Sequence, residues 1–382
     1  MTIELEHVAV EPTLDEVVPP ATRVRTEPAS KDAGDESLRR QLSSITAEQR
    51  FEIIGCWVAA LAMAWLICER MLPWDGALVF VLVTFTIGIL LLTVITALGS
   101  GWPEISDRIV STVVHSAALV VGAALLSTVL FVLVQGMGAL MNTNMWVDDM
   151  AGVGPRDALD RGGVAHAIVG SLIQIGIAVA VTIPLGIGTA IYMTEIGGRF
   201  ARVVRTIVEA MTALPSIVAG LFIYTTLIVA LGMPRSGLAA AMALSVMMLP
   251  IIARASDVVL RVVPGNLREA SLALGASRWR TVWHIVLPTA RPGLATAVIL
   301  GVARGIGETS PVLLTSGTAA FMVTNPTDGV MNSLPLFIFA TVRSGEPLYI
   351  ERAYAAAAIL LLLVLVLFIT ARLLARPRKG SR

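Results

Sequence analysis

Two lysines, two cysteines, four histidines and a charged fraction of 14% in 382 residues leave this sequence short of most of the groups that do chemistry. Each scarcity excludes something. Lys31 and Lys379 are the only lysines and neither follows a glycine loop, so no G-x-x-x-x-G-K-[ST] segment exists to cradle nucleotide phosphates. If ATP drives the protein, a separate subunit must bind ATP and Mg, and no cofactor is expected on this chain. Cys56 and Cys68 fall on one predicted helix, about 18 Å apart along its axis, too far for a disulfide. His7, His115, His166 and His284 have no Cys, Asp or Glu at ligand spacing, and no metal site is expected.

What is abundant is apolar surface. A hydrophobic fraction of 56% and a mean hydropathy of +0.81 make the bilayer the main solvent. A crossing takes about 20 predominantly apolar residues. Such stretches recur near Phe51–Cys68, Ala77–Leu98, Val113–Gln135, Val164–Met193, Thr206–Leu231, Gly237–Leu260, Gly293–Ser316 and Ala353–Leu374. The expected fold is therefore an all-α integral membrane bundle with about eight transmembrane helices. Arginine clusters orient it. Arg199, Arg202 and Arg205 follow the fourth span, Arg261, Arg268, Arg278 and Arg280 follow the sixth, and Arg376, Arg378, Lys379 and Arg382 form the tail. The excess of basic residues places these segments in the cytoplasm, which puts both termini inside and the links 136–163 and 317–352 outside. The link 99–112 fits least well, with Arg108 as its one basic residue. Residues 1–50 are polar and mixed in charge, and read as a disordered cytoplasmic tail rather than a cleavable signal.

Between the sixth and seventh spans, Arg268-Glu269-Ala270-Ser271-Leu272-Ala273-Leu274-Gly275 is followed by nine residues and then Ile285-Val286-Leu287-Pro288. The composition predicts two short helices: Gly275 suits a left-handed helix end, Ser277 can cap the second helix, and Pro288 would close it. With Leu267, Leu272 and Leu274 beside Arg268 and Glu269, the first helix suits docking into a groove on a partner. An ordinary amphipathic connector fits the residues equally well. Resemblance separates the two. The segment is similar to the EAA loop of ABC importer permeases, glutamate-alanine-alanine, three residues, glycine, nine residues, isoleucine-x-leucine-proline, and departs from it only at Ser271. In that family the loop sits in a cleft of the ATPase subunit, which implies an ATPase-coupling role for Arg268, Glu269, Ala270, Gly275, Leu287 and Pro288.

The seventh span places Arg304 and Glu308 about 17 and 23 Å along the helix from Gly293, close to mid-membrane. An ionised side chain there costs at least about 2.5 kcal/mol, so the pair should face protein or water. Four residues apart, the two can bridge each other. They are either a packing device, with Gly301 and Gly305 permitting close helix approach, or a guanidinium on the route of an oxyanion with Glu308 as its holder. The string from Ala303 to Pro311 resembles alanine-arginine-x-x-glycine-glutamate-threonine-alanine-proline of phosphate-specific permeases in the same family, with Ser310 the one departure. Pro215-Ser216-Ile217-Val218-Ala219-Gly220-Leu221-Phe222-Ile223-Tyr224 resembles a second run of that group. Gly186–Tyr192 and Ser333-Leu334-Pro335 are weaker likenesses.

The resemblance implies a type I ABC importer permease bundle, a six-span core with two extra N-terminal spans at 51–98, a leading core span at 113–135 and a permease domain at 164–374 that holds the loop at 265–288. It implies Arg304 and Glu308 on the substrate pathway, and Pro215 and Pro311 at helix kinks. It also implies a homologous second permease, two ATP-binding subunits, an extracytoplasmic phosphate-binding protein, inorganic phosphate and membrane lipid as partners, and no nucleic acid. A permease for molybdate or sulfate is the nearest rival. A membrane enzyme or signalling protein is a more distant one, since few titratable groups outside the seventh span lie at membrane depth.

Overall fold

The computed structural model describes residues 47–71, 76–99 and 101–374, and every regular element among them is helical. The expected N-terminal tail lies outside the described residues up to residue 46, as does the basic tail beyond Leu374, while 47–50 already belong to the first helix. Contacts divide the chain into two units, Met1–Ala117 and Ala118–Arg382.

The first unit holds α1 (Ala47–Trp65, continued by a wider π turn through Met71), α2 (Ala77–Gly99) and the start of α3 (Trp102–Leu140). Trp57 of α1 lies on Phe85 of α2 with ring centroids 6.1 Å apart, and Gly88 makes room for it, because a Cβ there would stand 2.7 Å from the Trp57 ring. Arg108 bridges to Glu52 at 3.3 Å. Cys56 and Cys68 are buried and unbridged. The helix expected at Val113–Gln135 is much longer than that and takes in most of the link 99–112. Pro103 permits this early start, since a first-turn N–H has no intrahelical acceptor to lose.

The second unit is built on α5 (Ala165–Ile191, continued by a π turn through Ile196) packed along α8 (Gly237–Val262). Between them come α6 (Gly198–Thr212) and α7 (Ser216–Ile223, with a π turn through Ala230). After α8 follow α9 (Gly265–Ala273), α10 (Arg278–Thr281), a π turn over Val282–Val286, α11 (Leu287–Ile306), α12 (Ser310–Thr315), α13 (Leu334–Val342) and α14 (Pro347–Leu374). A single turn, α4 (Asn144–Val147), precedes α5. Small residues set the approach of the central helices. Gly186 of α5 and Gly301 of α11 both pack on Ile252 of α8, and a Cβ at Gly305 would stand 2.5 Å from the Met248 sulfur. The glycine spacing expected to permit close packing on α11 thus lies against α8. Gly301→Leu should overpack this seam at a cost of about 1–3 kcal/mol and lower the melting temperature of the detergent-solubilised protein. Gly176→Leu, where a Cβ meets nothing within 4 Å, serves as the control and should leave it unchanged.

Seven helical stretches among the described residues are long and apolar enough to cross a membrane, and an eighth crossing exists if α6 and α7 count as one. The expected fifth span, Thr206–Leu231, is not a continuous helix: α6 and α7 meet at 107° across Ala213-Leu214-Pro215. Pro215 therefore stands at a break between two helices, where the chain turns, rather than at a kink within one. Lacking an N–H and holding ψ at 140°, it stands as the N-cap of α7. The expected seventh span, Gly293–Ser316, is also revised. Its helix begins at Arg278, passes Pro288 without closing and stops at Ile306, and α12 starts anew at Ser310. The π turn immediately before Leu287 relieves the clash that Pro288 would make with the preceding turn. Gly307 ends α11, and Pro311 falls in the first turn of α12, where proline is tolerated.

At the end of the second unit remote from α9, the two long links interlock. Met150 N donates to Ala320 O at 2.8 Å and Met322 N to Asp149 Oδ2 at 3.0 Å. Arg352, 1% exposed, gathers the carbonyls of Asp157, Ala158 and Arg161 through Nη2 at 2.7–3.1 Å. Arg156 bridges to Glu346 at 3.1 Å.

Candidate functional site

Two places carry the residues singled out by sequence, one at the break between α11 and α12 and one at the α9–α10 turn.

At the break, Arg304 occupies the last turn of α11 and Glu308 lies just beyond it, so both are at the end of a long helix rather than halfway along a straight one. The expected pair forms nonetheless. Arg304 Nε lies 3.0 Å from Glu308 Oε1 in an ion pair, with side chains 58% and 12% exposed respectively. Burial on one side and exposure on the other give the two unequal roles: Glu308 is held in the protein, while Nη1 and Nη2 of Arg304 make no hydrogen bond or ion pair among the described residues. An open guanidinium fork is the geometry that grips a tetrahedral oxyanion through two parallel N–H donors.

The family-like segments converge here. Gly220, in the run that begins at Pro215, touches Pro311 so closely that a Cβ would stand 2.6 Å from its Cα, so α7 and α12 pack backbone to backbone. Ser333 and Pro335 border a small cavity shared with Glu308, Ser171 and Gln174. Gln174 was not anticipated, nor was the polar layer around it. Gln174 Nε2 donates to Met331 O at 3.1 Å, Leu334 N donates to Ser171 Oγ at 2.8 Å, and Ser316 Oγ donates to Met331 O at 2.6 Å. These bonds tie the segment around the start of α13 to α5 and to the end of α12, beside the cavity that Glu308 borders. A lone buried amide in an otherwise apolar span was the available signal.

At the turn, α9 contains Arg268, Glu269 and Ala270, Gly275 has φ +81° beyond its end, and Ser277 caps α10 by accepting from Arg280 N at 3.4 Å. Ser271, the one departure from the loop pattern, is buried and its hydroxyl meets Thr281 Oγ1 at 2.9 Å, locking α9 to α10. Glu269, Ala270, Leu272 and Leu274 are exposed, with Trp279 and Trp283 nearby. Arg268 points the other way. It donates to Glu195 Oε1 through Nη2 at 2.9 Å and Nε at 3.1 Å, and to the carbonyls of Leu260 and Val263 at 2.8 and 2.7 Å. It thereby satisfies the open C-terminal carbonyls of α8 and fixes α9 to the end of α5. Leu287 is half-buried at the start of α11, and Pro288 is exposed there.

Residues 182–379 match the model of the family described as binding-protein-dependent transport system inner membrane component. The chain is 36% identical over 272 residues to phosphate transport system permease protein PstA 1 of Mycobacterium tuberculosis, covering 71% of this chain and 89% of that protein. It is 41% identical over 234 residues to the PstA of Mycobacterium leprae (61% and 76%) and 36% identical over 222 residues to that of Haemophilus influenzae (58% and 78%). A bacterial alginate ABC transporter, solved as a crystal structure, shares the fold with a TM-score of 0.52 at 15% identity, covering 73% of this chain and 99% of that one. The chain belongs to the binding-protein-dependent transport permeases, a multi-pass membrane family, and within it stands with the PstA phosphate permeases.

Proposed function

We propose that this protein is the permease subunit of an ATP-driven importer that carries inorganic phosphate inward across the cytoplasmic membrane, with both termini in the cytoplasm. Its partners are a homologous PstC-like permease, two PstB-like ATP-binding subunits and an extracytoplasmic PstS-like phosphate-binding protein, with membrane lipid around the bundle. ATP and Mg belong to the PstB-like subunits. The carrying observation is the exposed Arg304 fork, paired at Nε with half-buried Glu308 and open at Nη1 and Nη2. Phosphate arriving from the side of the interlocked links meets two free donors, and Glu308 competes for the cation so that binding stays transient.

Uptake of labelled phosphate, sulfate and molybdate in a strain lacking the gene tests this. Phosphate uptake should be lost and return with the gene. Uptake that does not depend on the gene would sink the substrate assignment, and gene-dependent uptake of sulfate or molybdate in its place would move the protein to the rival oxyanion reading.

The exposed face of α9 is the proposed seat of the ATPase subunit. Glu269→Lys reverses a charge on that face without touching the internal bonds of Arg268, so it should reduce copurification of the ATP-binding subunit and phosphate uptake roughly tenfold, as for a hydrogen bond to a charged group lost at an interface. Unchanged copurification and uptake would remove Glu269 from the contact.

A further inference from the structure

The charged groups at the α9 end of the second unit are not all accounted for by docking. A cavity of about 260 Å³ opens between the last turns of α5, the middle of α6 and the C-terminal half of α8. Arg205 and Glu209 of α6 and Arg254, Asp257 and Arg261 of α8 face it, beside Met193. On α8 the three charged positions are spaced three and four apart, which puts them on one face. Asp257, 8% exposed, is already committed: Oδ1 takes Arg205 Nη2 at 3.3 Å and Oδ2 takes Arg261 Nη2 at 3.2 Å. Arg254 has no ion pair among the described residues, and Arg205 Nε is buried with no hydrogen-bond partner. Glu209 is exposed and makes no ion pair among the described residues. Three guanidinium groups thus face two carboxylates, one of them saturated, and positive charge is left in excess around the cavity.

We propose that this cavity is a second oxyanion site, which takes a phosphate group on Arg254 and Arg205 with Arg261 as the neighbouring cation. Its volume admits a tetrahedral oxyanion with several waters, at about 30 Å³ per water. Guanidinium is the side chain suited to such an anion, because its planar donors pair with two oxygens at once. The site is distinct from Arg304. Met248 of α8 packs at the level of Gly305, and Arg254 and Arg261 lie about 9 and 20 Å further along α8 toward the α9 end. An anion released past Arg304 would meet this site next, while Glu209 limits how tightly it is held. Identification of the anion as phosphate rests on the function proposed above, whereas the presence of an anion site rests on the cavity alone.

The same phosphate group can arrive as free phosphate or on a lipid headgroup, and the experiment separates these. Purified transporter complex in a phosphorus-free maltoside detergent is treated with phenylglyoxal, and modification of Arg254 is followed by peptide mass spectrometry with inorganic phosphate, with phosphatidic acid, or with chloride at matched ionic strength. Phosphate should slow modification at least about threefold while chloride does not, and it should do so equally in Arg304→Ala. Glu209→Gln should deepen the protection. Protection by phosphatidic acid alone would assign the same site to a headgroup. Modification unaffected by either ligand, or protection that vanishes in Arg304→Ala, overturns the site. Failure of the uptake assay would sink the import reading and leave this protection intact.

Discussion

Arg304→Ala should lower phosphate uptake at least about tenfold and up to about a hundredfold, without changing the amount of assembled transporter. The magnitude follows from the two open donors: a hydrogen bond to a charged group is worth about 1.5–3 kcal/mol, and each 1.4 kcal/mol is a factor of ten. Assembly should survive because the guanidinium is more exposed than buried and its one partner among the described residues is Glu308. Arg304→Lys is the informative companion. It keeps the charge and loses the planar fork, so uptake should fall to an intermediate level if the geometry of the donors matters and stay near wild type if charge alone suffices. Uptake by labelled phosphate, normalised to complex recovered by affinity purification, reads both. Normal uptake by Arg304→Ala would return the pair to a packing role, alongside the Gly301 and Gly305 seam that already brings α11 onto α8.

The membrane class, the position of the α9–α10 turn and the Arg304–Glu308 pairing were all legible in the sequence, because each rests on a local signal: apolar stretches of sufficient length, helix-stop chemistry at Gly275, and four-residue spacing. What was not legible depends on direction and on distance along the chain. Hydropathy sums over a window of about 20 residues and does not register a change of course inside it. The 107° turn at Pro215 and the stop at Gly307 were therefore smoothed into single spans. The proline and glycine that cause them were visible, but proline in a membrane helix can equally bend it or be absorbed, as Pro250 is inside α8. Partner identity was hidden for a different reason. Gln174 meets Met331, and Arg268 meets Glu195, across long loops of sequence that carry no spacing rule. Ser271, the one departure from the loop pattern, gave no hint in the sequence of its hydrogen-bonding partner Thr281, which lies on the following helix.

Arg268→Ala should uncouple ATP hydrolysis from transport more severely than any change on the exposed face of α9. Arg268 holds α9 to both α5 and α8, through Glu195 and through the carbonyls of Leu260 and Val263. Its removal leaves Glu195, only 15% exposed, without its cation, and strips two helix-terminal carbonyls of a donor. Breaking such a pair from one side costs about 3–5 kcal/mol where burial is complete, and the 23% exposure of Arg268 moderates this to about 2–3 kcal/mol. That is enough to free α9 from the bundle while the transmembrane helices stay packed. The expected result is a complex in which the ATP-binding subunit still copurifies, since Glu269, Leu272 and Leu274 keep their exposure, yet phosphate uptake is lost and ATPase activity no longer responds to the binding protein. Double replacement of Arg268 and Glu195 by a methionine and leucine pair of similar volume should recover part of the melting temperature but not the coupling, because the carbonyls of α8 remain unmet. Uptake at wild-type level in Arg268→Ala would show that α9 transmits motion through its apolar contacts alone.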